Sequence, residues 1–264
     1  MSPLLVRRPA WRHHKGSAPV ESEEAVVVEE PLELRLEGQT LTVTLRTPGH
    51  DLDLAAGFLL SEGVIDGADD LVALAHVDDP ADPRGNTVDV VLAPGLAITR
   101  RGKVDRAFFA TSACGICGSA SVERALRAAP PLPARYQPDP DLVYTLPARL
   151  AEAQAHFADS GGLHAAALVN AAGALVLGRE DIGRHNAVDK VCGALLRADA
   201  LPPGPSTLVV SSRLSQELVT KALMAGIPAL AGVGAPSSLA IELAQAAGLC
   251  LIGFLREGRF NVYA

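Results

Sequence analysis

Ser206–Ala264 reads STLVVSSRLSQELVTKALMAGIPALAGVGAPSSLAIELAQAAGLCLIGFLREGRFNVYA, and its hydrophobic period changes four times along the way. STLVVSS has the composition of a short strand. SQELVTKALMAG turns to helical spacing and closes on Gly226. IPALAGVG reads as a second strand. PSSLAIELAQAAG is a second helix, with Pro and Ser at its start and Gly248 at its end. LCLIGFLREGRFNVYA closes as strand, turn and strand. Such alternation predicts an α/β domain of two or three layers, with helices covering a mixed sheet.

Working back from this stretch, LHAAALVN and GALVLGRED (163–181) suggest a hairpin. NAVDKVCGALLRA follows as a helix, with Val188, Val191, Cys192 and Leu195 on one stripe and Asn186 as a candidate cap. The first third reads as β with one helix. Leu32, Leu34 and Leu36 alternate, a Glu-Gly turn follows, and Leu41, Val43 and Leu45 alternate again. DLDLAAGFLLSEGVI has Leu52, Ala55, Ala56, Leu59 and Leu60 at helical spacing behind Asp51, a plausible N-cap. NTVDVVL alternates as a further strand. APPLPARYQPDPDLVYTLP (129–147), with six prolines, reads as a connection between two units. The expected organisation is a flexible arm at 1–22, a smaller N-terminal α/β domain at 23–135, and a larger α/β domain at 136–264.

The chain has 264 residues, 48% of them hydrophobic, and a net charge of −7, which places it among soluble globular proteins. A mildly acidic balance gives no general attraction for nucleic acid. The apolar run at 163–178 is broken by Asn170 and Gly173, too short to span a bilayer, and the N-terminus lacks a secretory signal. Neither a membrane nor a nucleic-acid partner is expected. Four cysteines in a chain of this size do not form a disulfide framework, so the expected compartment is the reducing cytoplasm. Cys192 and Cys250 read as small buried hydrophobes.

Cys114 and Cys117 stand apart, in the glycine-rich stretch TSACGICG (111–118). A structural zinc site needs a second pair of ligands, but there is no other C-x-x-C. His76, His156, His164 and His185 are scattered, and no H-x-E occurs, so no metal is expected. The spacing also suits a redox dithiol, with GSASVERALRAA as a helix behind it. It equally suits a persulfide carrier, in which an exposed thiolate accepts a sulfur atom and its neighbour resolves the persulfide. Spacing alone leaves these open.

Several longer stretches narrow the choice. TPGHDLDLAAGFLLSEGVI (47–65), TSACGICGSAS, REDIGRHNAVDKVCGALL (179–196), the run from SSRLSQELV to AQAAGL and the ending GFLREGRFNVYA resemble the formate dehydrogenase accessory sulfurtransferase (FdhD) family. The matches run in the family's order from Glu29 to the C-terminus. The resemblance implies a homodimeric cytoplasmic sulfurtransferase. It would take sulfur from a cysteine desulfurase and deliver it to the molybdenum cofactor, bis-molybdopterin guanine dinucleotide, as formate dehydrogenase requires. It also implies a cytidine-deaminase-like α/β domain without the deaminase zinc, beside a smaller N-terminal α/β domain.

Carried over by motif, Cys114 is the persulfide-forming cysteine and Cys117 its partner. Phe254, Leu255, Arg256, Glu257, Gly258 and Arg259 form the cofactor-binding stretch. A polyanionic cofactor on an acidic protein calls for a local cationic site, for which Arg256, Arg259, Arg213, Arg184 and His185 are the candidates. Each arginine taken singly reads as a solvated surface charge; it is the set that points to phosphate. For His185 a packing or ligand-lining role is favoured over proton transfer, and Glu180 and Asp181 are candidates to orient Arg184. A cofactor-binding chaperone without covalent sulfur chemistry is the alternative class.

Overall fold

A computed structural model describes residues 4–78, 80, 82–96, 126, 129, 131–132 and 135–264. The helix expected after the cysteine pair lies outside them, apart from Leu126 and Ala129.

The C-terminal alternation forms the larger of two main sheets. β7 (His164–Asn170) and β8 (Leu175–Asp181) pair as the expected hairpin. β9 (Ser206–Val210), β10 (Ala229–Gly232) and β11 (Cys250–Arg256) run parallel, and β12 (Arg259–Val262) returns antiparallel along the edge. The order is β12-β11-β10-β9-β7-β8, a mixed sheet. α5 (Gln216–Met224) joins β9 to β10 and α6 (Ser238–Ala247) joins β10 to β11. α4 (Arg184–Arg197) follows the hairpin. The strand alternation divides the core between two faces. Ala166, Leu168, Leu208, Val210, Leu230 and Leu251 share a cluster with α4, α5 and α6. Ala165, Ala167, Val209, Ala231 and Ile252 instead meet Val143, Leu146 and Leu150 of α2 (Pro140–Glu152).

The smaller sheet is β4-β3-β6-β5, from β3 (Glu30–Leu36), β4 (Gln39–Arg46), β5 (Leu71–His76) and β6 (Thr87–Leu92). Its tight turn takes positive φ at both Glu37 (51°) and Gly38 (78°), the hand that suits a twisted hairpin. The alternating leucines of β3 turn inward: Leu32 and Leu34 against Leu54 and Ala55 of α1 (Asp51–Ser61), Leu36 into the cluster that holds α4.

α1 also lies across α4, and there the two backbones touch. A Cβ on Gly57 would sit 1.9 Å from Asp189 O, and one on Gly193 1.9 Å from Asp53 O. Around the crossing, buried charges are paired. Arg46 donates two hydrogen bonds of 2.9 Å to Asp51 and one of 2.7 Å to Asn86. Lys190 meets Asp181 at 2.7 Å and also donates to Thr47 O. Lys221 reaches both oxygens of Asp189 at 2.8 Å, and Ser61 donates to the same carboxylate. Burial opposes the charge on Lys221, but Asp189 outweighs it and raises the ammonium pKa. Leu36, Val90 and Leu92 of the small sheet share one hydrophobic cluster with α4, α5 and α6, so the two sheets are built on a common core.

Two expectations are corrected. Residues 1–22, read as a flexible arm, include β1 (Leu5–Arg12) and the start of β2 (Val20–Val27), which pair as an antiparallel ribbon. Its alternation is faint because polar residues occupy both faces. The proline-rich connection ends not at 147 but where α2 begins, at Pro140. Asp139 caps that helix by accepting from Asp141 N at 2.8 Å, and Pro140 fits the first helical position because its missing N–H has no partner there anyway. Val143, Leu146 and Leu150 supply a buried stripe that holds the helix despite Pro147 inside it.

Candidate functional site

Arg184, His185, Arg213 and Phe254 lie at one end of the large sheet, by the carboxyl ends of its parallel strands, where crossover folds of this kind bind ligands. The chain leaving β9 (Ser211, Ser212, Arg213) runs beside the chain leaving β10 (Val233, Gly234, Ala235). Gly234 N donates to Ser212 O at 3.1 Å and Leu214 N to Ala235 O at 3.0 Å. Glycine is required at 234, since a Cβ there would lie 2.7 Å from Arg213 Cα. On the other side, Phe254 N donates to Gly234 O at 3.0 Å. Gly234 thus brings Arg213 and Phe254 together.

Phe254 itself is strained. It holds φ at 53°, a left-handed conformation disfavoured for a bulky side chain, where the β11–β12 register shifts between Gly253 and Arg256. Such strain costs roughly 1–3 kcal/mol and concentrates at binding sites. Phe254 is 41% exposed, although it follows a buried run of β11.

A second group of residues comes from the starts of α4 and α5. Arg184 and His185 open α4, and His185 Nε2 stands 3.1 Å from Glu217 Oε2 in the first turn of α5. Ser215 Oγ donates to the same oxygen at 3.2 Å. The His185 contact, working against partial burial, pulls the Glu217 pKa down to about 2. His164, the first residue of β7, lies close enough for its imidazole to feel Arg184 and His185 at the start of α4. Burial, then Arg184 and His185, lower its pKa, against a small opposing pull from Asp181. Neither α4 nor α5 begins with a side-chain cap, whereas Ser237 caps α6 by accepting from Ala240 N. The start of α4 therefore keeps N–H groups to offer an anion.

The remaining candidates scatter. Leu255 is fully buried in the core beneath α2. Arg256 is exposed, but its Nη1 donates to Val233 O (2.8 Å) and Leu255 O (2.6 Å), which fixes the guanidinium along the strand end. Glu257 and Gly258 form the exposed turn, and Arg259 lies opposite Arg256. Cys114 and Cys117 lie outside the described residues. Cys192 and Cys250 are buried as expected, and burial pushes their thiols up to about 12 and about 11.

Three local expectations are corrected. Glu180 accepts from His156 N and Phe157 N, both at 2.9 Å, at the start of α3 (Phe157–Ser160). Asp181 pairs with Lys190, so both carboxylates are engaged away from Arg184. Asn186 lies inside α4, not at its cap, and donates to Leu45 O (2.8 Å) and Asp181 Oδ1 (3.0 Å). Thr47 N also donates to Asp181. The two long stretches TPGH… and REDIGRHN… are thus interlocked parts of one structure.

Sequence reasoning missed His164, Ser211 and Glu217 as site residues. The available signal was position: each is a polar residue at the end of an apolar strand or in the first turn of a helix. Among the described residues, no group of three or more His, Cys, Asp or Glu side chains could hold a metal ion. No described helix is long and apolar enough to cross a membrane.

Comparison with known proteins places these features in context. Residues 27–264 match the FdhD/NarQ family. The chain is 45% identical over 265 residues to the sulfur carrier protein FdhD of Mycobacterium tuberculosis, covering 96% of this chain and 94% of that one. It is 46% identical over 274 residues to the sulfur carrier protein FdhD of Streptomyces avermitilis, covering 100% and 95%. The crystal structure of a candidate formate dehydrogenase accessory protein from Desulfotalea psychrophila superposes with a TM-score of 0.78 at 25% identity, covering 99% and 97%.

Proposed function

The chain belongs to the FdhD/NarQ family, and from that premise we propose that it is a sulfur carrier serving formate dehydrogenase in the cytoplasm, acting as a homodimer. Cys114 is its sulfur-bearing residue. Its donor is a cysteine desulfurase, and its acceptor is bis-molybdopterin guanine dinucleotide, bound as substrate at the strand-end rim. One observation carries the assignment of the thiol. Cys192 and Cys250 sit in the core with pKa values far above neutrality, so neither offers a thiolate. That leaves the pair in the glycine-rich motif.

In the first step the Cys114 thiolate attacks the terminal sulfur of the desulfurase persulfide. The donor cysteine leaves as thiolate and Cys114 becomes the persulfide. In the second step Cys117 thiolate attacks the Cys114 sulfur. The Cys114–Cys117 disulfide forms, and the outer sulfur departs as hydrosulfide, carrying the two electrons the dithiol gives up. Molybdenum receives it, and a cellular thiol reductant restores the pair. The cofactor's phosphates are held by Arg184, Arg213 and His185 with the N–H groups that open α4. Phe254 offers a flat apolar face for a guanine ring.

Intact-protein mass spectrometry after incubation with a cysteine desulfurase and cysteine tests the reading. Wild type should gain about 32 Da, one sulfur atom, which reductant removes and Cys114→Ala abolishes. No gain beside an active desulfurase would favour a cofactor chaperone without covalent sulfur transfer.

A further inference from the structure

We infer that His164 contacts the ligand of the strand-end rim and takes up a proton when a phosphate-type anion enters, linking anion binding to protonation. This rests on the reading of that rim as the site of a nucleotide-bearing cofactor.

The geometry begins at Ser211. Its Oγ accepts from Ala165 N at 2.9 Å, which leaves the hydroxyl proton to find another acceptor. His164 Nδ1 stands 3.2 Å away. With Ser211 donating to Nδ1, the neutral ring carries its own proton on Nε2 and presents a donor there. In the alternation of β7, His164 falls on the face of Ala166 and Leu168, the face covered by α4. Arg184 and His185 open that helix.

The charges around the ring do not balance. Arg184 and His185 face it from α4, and Asp181 from β8. Arg213 adds a cation to the rim from the chain after β9. Two carboxylates are near, but both are engaged. Asp181 is fully buried, pairs with Lys190 at 2.7 Å and accepts from Thr47 N, Gly183 N and Asn186 Nδ2. Glu217, from α5, is held by His185 and Ser215. What reaches the half-buried imidazole is desolvation and a positive field, and both favour its neutral form. A phosphate entering among Arg184, His185 and His164 reverses that field. The ring then gains a proton, and the added charge holds the anion.

The test uses di(guanosine-5′) pyrophosphate, whose diester phosphates do not titrate near neutrality, so any proton exchanged belongs to the protein. Calorimetry in two buffers of different ionisation enthalpy reads the uptake directly. Wild type should take up a proton, and its affinity should fall by up to about tenfold per pH unit as pH rises through the window of uptake. His164→Gln should bind more weakly and without uptake. Binding without uptake in wild type, or with equal uptake in His164→Gln, overturns this inference and leaves the cofactor site standing. No binding by wild type overturns both. If the Gln variant fails to fold, long-range 1H–15N spectra of wild type decide. An Nε2–H neutral ring at pH 7 that becomes doubly protonated with the ligand supports the inference; a ring already doubly protonated without ligand overturns it.

Discussion

The α1–α4 crossing and the strand-end rim are both rich in charge, yet they are built on opposite principles. At the crossing, charged side chains are buried and matched: Arg46 with Asp51, Lys190 with Asp181, Lys221 with Asp189. At the rim, cations outnumber free carboxylates, helix starts lack side-chain caps, and an aromatic residue is held in a left-handed conformation. Burial makes the difference. A buried charge left unpaired costs several kcal/mol, so the crossing settles its pairs within the chain. The rim, open to solvent, is under no such constraint.

The sharpest way to break this contrast is Lys190→Met. It strands the fully buried Asp181 and should lower unfolding stability by about 3–5 kcal/mol in a denaturant titration. A rim change of equal charge, Arg213→Met, should move the same titration by less than about 0.5 kcal/mol. Gly57→Val tests the crossing without touching charge. With only 1.9 Å between a new Cβ and Asp189 O, the helices must separate, at about 3 kcal/mol by thermal unfolding. Phe254→Gly should act in the reverse direction. It removes the left-handed strain, raises stability by about 1 kcal/mol, and weakens guanine-nucleotide binding in calorimetry.

The smallest effect concerns Glu217. Its folded pKa of about 2 lies below its ordinary value of 4.5, so its contribution is present above 4.5 and is lost as pH falls toward 2. Because the side chain is 65% exposed, solvent screening keeps that contribution well below about 1 kcal/mol. A carboxyl NMR titration should find the midpoint back near the ordinary range in His185→Gln.

The α/β alternation from Ser206 onward was legible because each segment keeps one period and ends on a clear stop, as Gly226 and Gly248 do. The β7–β8 hairpin and α4 were legible for the same reason. The ribbon was not, because Arg7, Arg8, Glu23 and Glu24 leave neither face apolar. Nor was α2, whose prolines read as a linker until Asp139 and Pro140 are seen to start a helix. In the site, Arg213 and Phe254 meet across Gly234, while Arg184 and His185 open α4 beside the first turn of α5. Leu255 lies apart from both, because strand alternation turns it into the core. His164 was passed over because a lone histidine acquires its meaning only from Ser211, which is remote in sequence and adjacent across the sheet.

The glycine contact between α1 and α4 also has a consequence for how the protein is made. Gly193 leaves the ribosome more than 130 residues after Gly57. At ordinary elongation rates this is a wait of roughly 7–27 s. Throughout it, α1 and the inner face of the small sheet have no partner on α4 to cover them. The nascent N-terminal half is thus a sticky intermediate by construction, and the yield of this protein in a cell should depend on the chaperones that shield it during synthesis.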